Sequence, residues 1–348
     1  MFKFAKPFVV LLLAISLLVI SGCTPQDNSP NYEGTYTGYA WKGEVEGIAF
    51  ENATEYIETI LTLDKNGVIT EASVNFFIKR GENWTSRINQ TADVIVDFNV
   101  IPTQATLSPT YVKGDSMFTI QSTEMMSFYA SAVSNDGIVA FLLVEPTTRF
   151  QYEVRLDSSF DYQTTLEDFT IGNGFVVPTV RTAGGALVRP TTWDSLQFKG
   201  LFNTHGWSKV MKNGGVFASL TQTSTVEELL TSVGITFVDG LPQAKAVTYG
   251  YFGVGGWAGN YAQIGEFLIG KNATEYTSLI DWTIERYANG IGENNFFGTV
   301  SGATQTVQDS TLTISGATVR VSRESASYQR ALVEAGILQE SQVIKGRF

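Results

Sequence analysis
Apolar and polar positions alternate over long stretches of this chain, and the period of two is the first readable signal. Tyr56-Ile57-Glu58-Thr59-Ile60-Leu61-Thr62-Leu63 leads into Asp64-Lys65-Asn66-Gly67, and alternation resumes from Val68 to Val74. Side chains two apart share one face of a strand, and a polar, Gly-containing break reverses the chain, so the pattern predicts a β-hairpin. Residues 127–133, the break Ser134-Asn135-Asp136-Gly137 and residues 138–144 repeat it, which suggests a duplicated β unit. Residues 244–252 predict a further strand. The spacing changes to a helical one in three places. Ser224-Thr225-Val226-Glu227 has the capping-box pattern, with Gly234 as the stop. Asn272-Ala273-Thr274-Glu275 repeats that logic ahead of Tyr276, Leu279, Ile280, Ile284 and Tyr287 on one face, with Gly290 closing the run. Residues 325–335 predict a third helix, with Tyr328, Ala331 and Leu332 inward and Gly336 after it. The expected class is α+β: strand-rich, with antiparallel sheets and a few helices. At about 150 residues per domain the length suggests two domains. We place their boundary near Pro178, giving a β-rich domain over 34–178 and an α+β domain over 179–348.

The amino terminus follows different rules. Lys3 and Lys6 precede an apolar run from Phe8 to Ile20, and then Ser21-Gly22-Cys23. A basic start, a short apolar core and small residues before a cleavage point describe a secretory signal, here residues 1–22. The run is short for a membrane span, which needs about 20 apolar residues. Ile20-Ser21-Gly22-Cys23 resembles the lipobox of bacterial lipoproteins. That resemblance implies that Cys23 is lipidated and anchors the protein to a membrane, facing the periplasm or the exterior. Residues 23–33 are polar, with Pro and Asn, and read as a tether.

Composition then removes several chemistries. The chain has one Cys and one His, so no internal disulfide, thiolate zinc site or His-rich metal centre can be built. Its net charge of −11 argues against nucleic acid as a partner. Redox chemistry in such a chain would need an organic cofactor.

One tetrapeptide occurs twice: Ser301-Gly302-Ala303-Thr304 and Ser315-Gly316-Ala317-Thr318. A given tetrapeptide is expected in a chain of this length at roughly the one-in-a-hundred level. A turn-rich β repeat would explain the recurrence, because Ser, Gly and Thr are turn residues. The string also suits a phosphate. Gly and Ala leave the backbone open to close approach, neighbouring N–H groups can form an anion nest, and the Thr hydroxyl can be esterified.

Ser-Gly-Ala-Thr shortly before a helix rich in Ala and Leu resembles the FMN-binding domain of the small subunits of sodium-pumping and Rnf-type redox complexes. Thr318, followed by Ser322 and the Tyr328-Ala331-Leu332 helix, has the more family-like setting, and Thr304 is the second candidate. Gly34-Thr35-Tyr36-Thr37-Gly38 and the hairpin around Asn66-Gly67 resemble the family's opening. The resemblance implies that FMN is joined through a phosphoester to one of these threonines by a separate flavin transferase. It further implies that the protein exchanges electrons with a redox partner protein or an extracellular acceptor. The acidic residue that the family carries six positions before the Thr is Leu312 for Thr318 and Gly298 for Thr304. The alternative is a non-enzymatic surface lipoprotein that binds a ligand or partner on the same scaffold without flavin.

Other motifs have two readings each. Gly253-Val254-Gly255-Gly256-Trp257-Ala258 matches the dinucleotide-loop string, with Glu275 as the ribose acid, but no βαβ series surrounds it, and a Gly-rich turn is the preferred reading. His205 is either a proton donor or a hydrogen-bonded loop residue. Trp193, Trp207 and Trp257 either wall a flat ring or pack a core, and core packing is preferred. The sequons at Asn52, Asn83, Asn89 and Asn272 are incidental in a bacterial lipoprotein.

Overall fold
In the computed structural model, which describes residues 30–107, 110–145, 150–180, 193, 201, 214–281, 314, 319, 321–345 and 348, both hairpins read from the alternation are present. Strand β1 (Gly34–Trp41) pairs with β2 (Glu55–Leu63), β2 with β3 (Ile69–Arg80), and β3 with β4 (Asn83–Ser86), all antiparallel. The β2–β3 turn is held by Asp64, whose Oδ1 accepts the N–H groups of Asn66 and Val68, each at 2.8 Å. Along β2 the side chains of Ile57, Thr59, Leu61 and Leu63 are buried, and those between them are half-buried.

Strands β5 (Ala92–Val96) and β6 (Phe118–Ser122) form a separate antiparallel pair. The larger sheet has the order β10-β11-β9-β8-β7-β14. Its members are β7 (Phe128–Val133), β8 (Val139–Val144), β9 (Phe150–Leu156), β10 (Thr170–Ile171), β11 (Gly174–Val180) and β14 (Lys245–Tyr251). Every pairing in it is antiparallel except the short β10–β11 contact. Every residue of β8 is buried. Val139, Phe141 and Leu143 face one core, shared with helix α1 (Val226–Ser232). Ala140, Leu142 and Val144 face another, shared with β5 and β6. A strand covered on both faces carries the continuous apolar run seen here. The short hairpin of β12 (Phe237–Val238) and β13 (Leu241–Pro242) links α1 to β14. The class is α+β, strand-rich and antiparallel.

Helices α2 (Gly256–Leu268) and α3 (Ser322–Glu334) cover one face of the β1–β4 sheet, α2 across β3 and α3 across β1 and β2. The α3 crossing is close. A methyl group at Gly38 would stand 2.1 Å from the Ser327 carbonyl oxygen and 2.2 Å from the Ala331 nitrogen, so only glycine fits on β1 there. Thr59 of β2 and Ser327 of α3 share a buried hydroxyl–hydroxyl hydrogen bond of 2.7 Å. Pro178 lies inside β11, and the sheet containing β11 takes its edge strand, β14, from the far side of that position.

Two helical expectations change. The first helix is capped by Thr225 and Glu228, one residue later than the capping box at Ser224 and Glu227, and Glu227 accepts a bond from Gln163 instead. No helix starts at Asn272 among the described residues. Asn272 Oδ1 accepts from the backbone N–H and hydroxyl of Thr274, Asn272 bridges to Val68, and Ala273 N–H bonds the Gly67 carbonyl. The β2–β3 hairpin turn bonds the backbone of Asn272 and Ala273 directly, so the segment is pinned as a turn against it. Leu279 and Ile280 are buried as expected, without a helix.

Candidate functional site
The Gly253–Ala258 string joins β14 to α2, and helix α2 begins inside it, at Gly256. An anion would meet the exposed N–H groups at such a start. Here Glu124, fully buried, fills that place. One carboxylate oxygen accepts the Met126 N–H at 2.5 Å and the other accepts the Trp257 N–H, so the cap comes from a residue 133 positions away. Gly256, at φ 63°, is required by the same contact, because a methyl group there would lie 2.8 Å from the Met126 carbonyl and 2.9 Å from the Glu124 carboxyl. The loop is therefore a capped helix start rather than a pyrophosphate cradle.

Trp257, next in the chain, is the centre of a buried cation–aromatic cluster. Its ring meets Phe76 edge-on at 5.5 Å. The Arg87 guanidinium lies 4.9 Å from Phe76 and 4.8 Å from Trp257, and that of Arg323 lies 4.6 Å and 5.0 Å from the same two rings. Arg323 Nε and the Tyr261 hydroxyl both donate to Glu324 Oε1, at 3.0 and 2.9 Å. Arg87 Nε donates to the Thr123 carbonyl at 3.3 Å. Glu324 Oε2 and Trp257 Nε1 are buried and have no hydrogen-bond partner among the described residues.

The electrostatics follow from burial. Burial, and then the like charge of Arg323, lower the Arg87 pKa. Burial also works to lower that of Arg323, but the Glu324 carboxylate and then Tyr261 outweigh it and hold the group above its usual range. The Tyr261 hydroxyl is driven far up by burial and by Glu324, so it stays a donor. The outcome is a desolvated, π-faced locus in which two guanidiniums are set against the buried carboxylates of Glu324 and Glu124, with an indole donor that has no partner among the described residues.

This cluster adjoins the second Ser-Gly-Ala-Thr motif in sequence. Ile314 and Val319, the described residues on either side of 315–318, are 2% and 3% exposed and belong to the same core as Trp257, Tyr261 and Val321. Ser301, Gly302, Ala303, Thr304, Ser315, Gly316, Ala317 and Thr318 lie outside the described residues, as do Cys23, His205 and Trp207. Trp193 and Trp257 are not brought together. Trp193 packs edge-on against Phe150 at 5.6 Å and donates to the Ala105 carbonyl, in the core of the larger sheet. No group of three or more His, Cys, Asp or Glu side chains among the described residues is arranged to hold a metal.

Arg87, Glu124, Tyr261, Arg323 and Glu324 are absent from the motif reading. Glu324 had a signal: it falls on the face that α3 buries, with Ser325, Tyr328, Ala331 and Leu332, where a charge needs a partner. Glu124 had none, because the Trp257 N–H that it caps lies 133 residues away and is brought to it only by folding. Family models, curated proteins and solved structures were all compared with this chain, and none matches.

Proposed function
We propose that this protein is an extracytoplasmic electron-transfer flavoprotein, anchored through Cys23 and carrying FMN through a threonine of its Ser-Gly-Ala-Thr motifs, Thr318 before Thr304. The observation that supports this reading is the cation–aromatic cluster, whose Arg323 follows Thr318 by five residues in sequence and whose core includes Ile314 and Val319. A phosphoester bears negative charge and an isoalloxazine is a flat π system. The Arg87 guanidinium, the Trp257 and Phe76 rings and the Trp257 N–H, which has no partner among the described residues, suit both in charge and in hydrogen-bonding capacity. Arg87 would supply the positive charge, while Arg323, held by Glu324, which Tyr261 also hydrogen-bonds, would add its flat guanidinium face. FMN, when bound, supplies reversible one- and two-electron chemistry, and the chain needs no acid–base pair of its own for that role.

The test is intact-mass measurement of denatured protein co-expressed with a flavin transferase. An FMN-sized addition that disappears in Thr318→Ala supports the assignment, and disappearance only in Thr304→Ala reverses the ranking. An unmodified mass with no bound yellow chromophore overturns the flavin reading. Anchoring is tested separately: Cys23→Ser should move the protein from the membrane to the soluble fraction.

A second reading, a binding lipoprotein without flavin, is favoured by a different observation. The face of the β1–β4 sheet opposite α2 and α3 carries a half-exposed row of aromatic side chains.

A further inference from the structure
On a sheet with one face packed and one face open, the outward positions should be polar. On β1–β4 they are aromatic at one end. Trp41 and Tyr39 come from β1, Tyr56 from β2, Phe77 from β3 and Trp84 from β4, with Phe50 entering from the β1–β2 connection. The register explains the grouping: Trp41 is opposite Tyr56, and Tyr56 is opposite Phe77. The rings touch in series. Trp41 to Phe50 is 5.5 Å, Phe50 to Tyr56 5.4 Å, and Tyr56 lies 4.7 Å from both Phe77 and Trp84. None of the six is buried, and Trp84 is 39% exposed. Trp84 is the exposed end of the row and the other five rings are half-buried, so the row forms a partly exposed aromatic patch, a feature that marks binding surfaces.

The surroundings narrow the ligand. Glu58 lies on the same face between Tyr39 of β1 and Asn75 of β3, and Asn75 accepts a hydrogen bond from Ser86 of β4 at 2.6 Å. Lys79 sits 6.0 Å from the Trp84 ring, and Arg330 of α3, paired with Glu44 at 2.7 Å, reaches round the β1 edge to lie 4.7 Å from the Trp41 ring. Acids and bases are thus balanced locally on a chain of net charge −11. Anionic polymers and anionic bilayers require a basic surface, which this face lacks. Burial, with Glu58, raises the Tyr39 pKa, and burial, Glu58 and Tyr39 push that of Tyr56 up to about 12, so both hydroxyls stay neutral donors. A ligand that presents apolar C–H faces to a row of rings and hydroxyls to carboxylate, amide and phenol groups, without charge, is a neutral carbohydrate.

We infer that the open face of the β1–β4 sheet binds a neutral polysaccharide chain along Trp41, Tyr56, Phe77 and Trp84. Four strands at about 4.8 Å spacing give the row a length of about 14 Å, which suits an oligosaccharide rather than a single ring. The site is on the opposite side of the sheet from the α2–α3 cluster and does not depend on flavin.

The experiment uses the full chain solubilised in detergent, with affinity electrophoresis through gels containing soluble β-1,4-glucan, β-1,3-glucan or xylan, and with chitohexaose titrated by tryptophan fluorescence. At least one neutral glycan should retard or quench the protein. Trp84→Ala, at the exposed end of the row, should weaken that effect at least tenfold with an unchanged thermal midpoint, and Tyr56→Ala should weaken it at least as much. Lys271→Gln, remote from this face, should leave it intact, and so should Thr318→Ala, which separates this result from the flavin reading. Absence of binding to all four probes overturns the inference, and so does binding unaffected by Trp84→Ala. Two other results reassign the face: concentration-dependent dimerisation lost in Trp84→Ala, to a second copy of the chain; and binding of the Cys23→Ser protein to phosphatidylglycerol–phosphatidylethanolamine vesicles with no glycan binding, to the membrane.

Discussion

The buried carboxylate of Glu124 accepts the backbone N–H of Trp257, the second residue of α2. A helix start that would otherwise offer its N–H groups to an anion is thus satisfied from within the protein. The same contact places the Trp257 ring among Phe76, Arg87 and Arg323, so the cap and the cation–aromatic cluster are one structural unit.

Glu124→Ala should therefore destabilise the fold well beyond a surface change. It leaves the Met126 and Trp257 N–H groups buried without their acceptor, at a cost of roughly 2–4 kcal/mol. Urea unfolding followed by tryptophan fluorescence measures this. A loss below about 1 kcal/mol would contradict the capping role. The wild-type chain should also show no binding of NADH by fluorescence, because the loop's anion site is filled.

The two arginines should respond unequally. Arg323→Met strands the Glu324 carboxylate in the core, where breaking a buried pair costs about 3–5 kcal/mol. Arg87→Met removes a cation whose side chain donates to the Thr123 carbonyl rather than to a carboxylate among the described residues, and it relieves repulsion with Arg323, so its loss should be clearly smaller. Paired denaturation curves decide the order, and equal losses would refute this account of the cluster's charge balance.

Gly38→Ala should be among the most damaging single substitutions. The added methyl meets backbone atoms of α3, which cannot rotate away, so the helix must lift from β1 and expose Ala331, Leu332 and Tyr328. Overpacking usually costs about 1–3 kcal/mol, and a clash with backbone belongs at or above the top of that range. Thermal unfolding, with partial proteolysis to detect a loosened C-terminal helix, reports the outcome.

Glu153 gives a pH-dependent prediction. It is fully buried on β9, accepting from Ser116, Gln151 and the Met117 N–H, yet burial still raises its pKa above the ordinary carboxylate value. Below the unfolded pKa, near 4.5, both states are protonated and no penalty applies. As the pH rises the unfolded chain ionises freely and the folded one resists, so stability is lost toward the folded pKa. Relative to Glu153→Gln, the wild type should be more stable at pH 4 than at pH 7. A stability difference between the two proteins that stays constant with pH would remove this effect.

Much of the secondary structure was legible because its causes are local. Alternation from Tyr56 to Val74 and the Asp64–Gly67 break specify a hairpin, since turn chemistry and side-chain period act within a few residues. Helix α3 was legible from its inward Tyr328, Ala331 and Leu332, although it begins at Ser322 rather than Ser325. Asn272 shows the limit. Its cap-like sequence is spent on a turn, because the Gly67 carbonyl and Val68 lie within reach only after folding.

The sequence by itself determined the strand-rich α+β class, the hairpins and the chemical poverty in thiols and imidazoles, because these depend on composition and short-range pattern. Tertiary structure alone decided that Glu124 caps α2, that Arg87 and Arg323 share two aromatic faces, and that Trp41, Tyr56, Phe77 and Trp84 line one open face. Those outcomes depend on register and on contacts between distant residues. A side chain's partner across such separations is set by how sheets and helices pack, which no local period records.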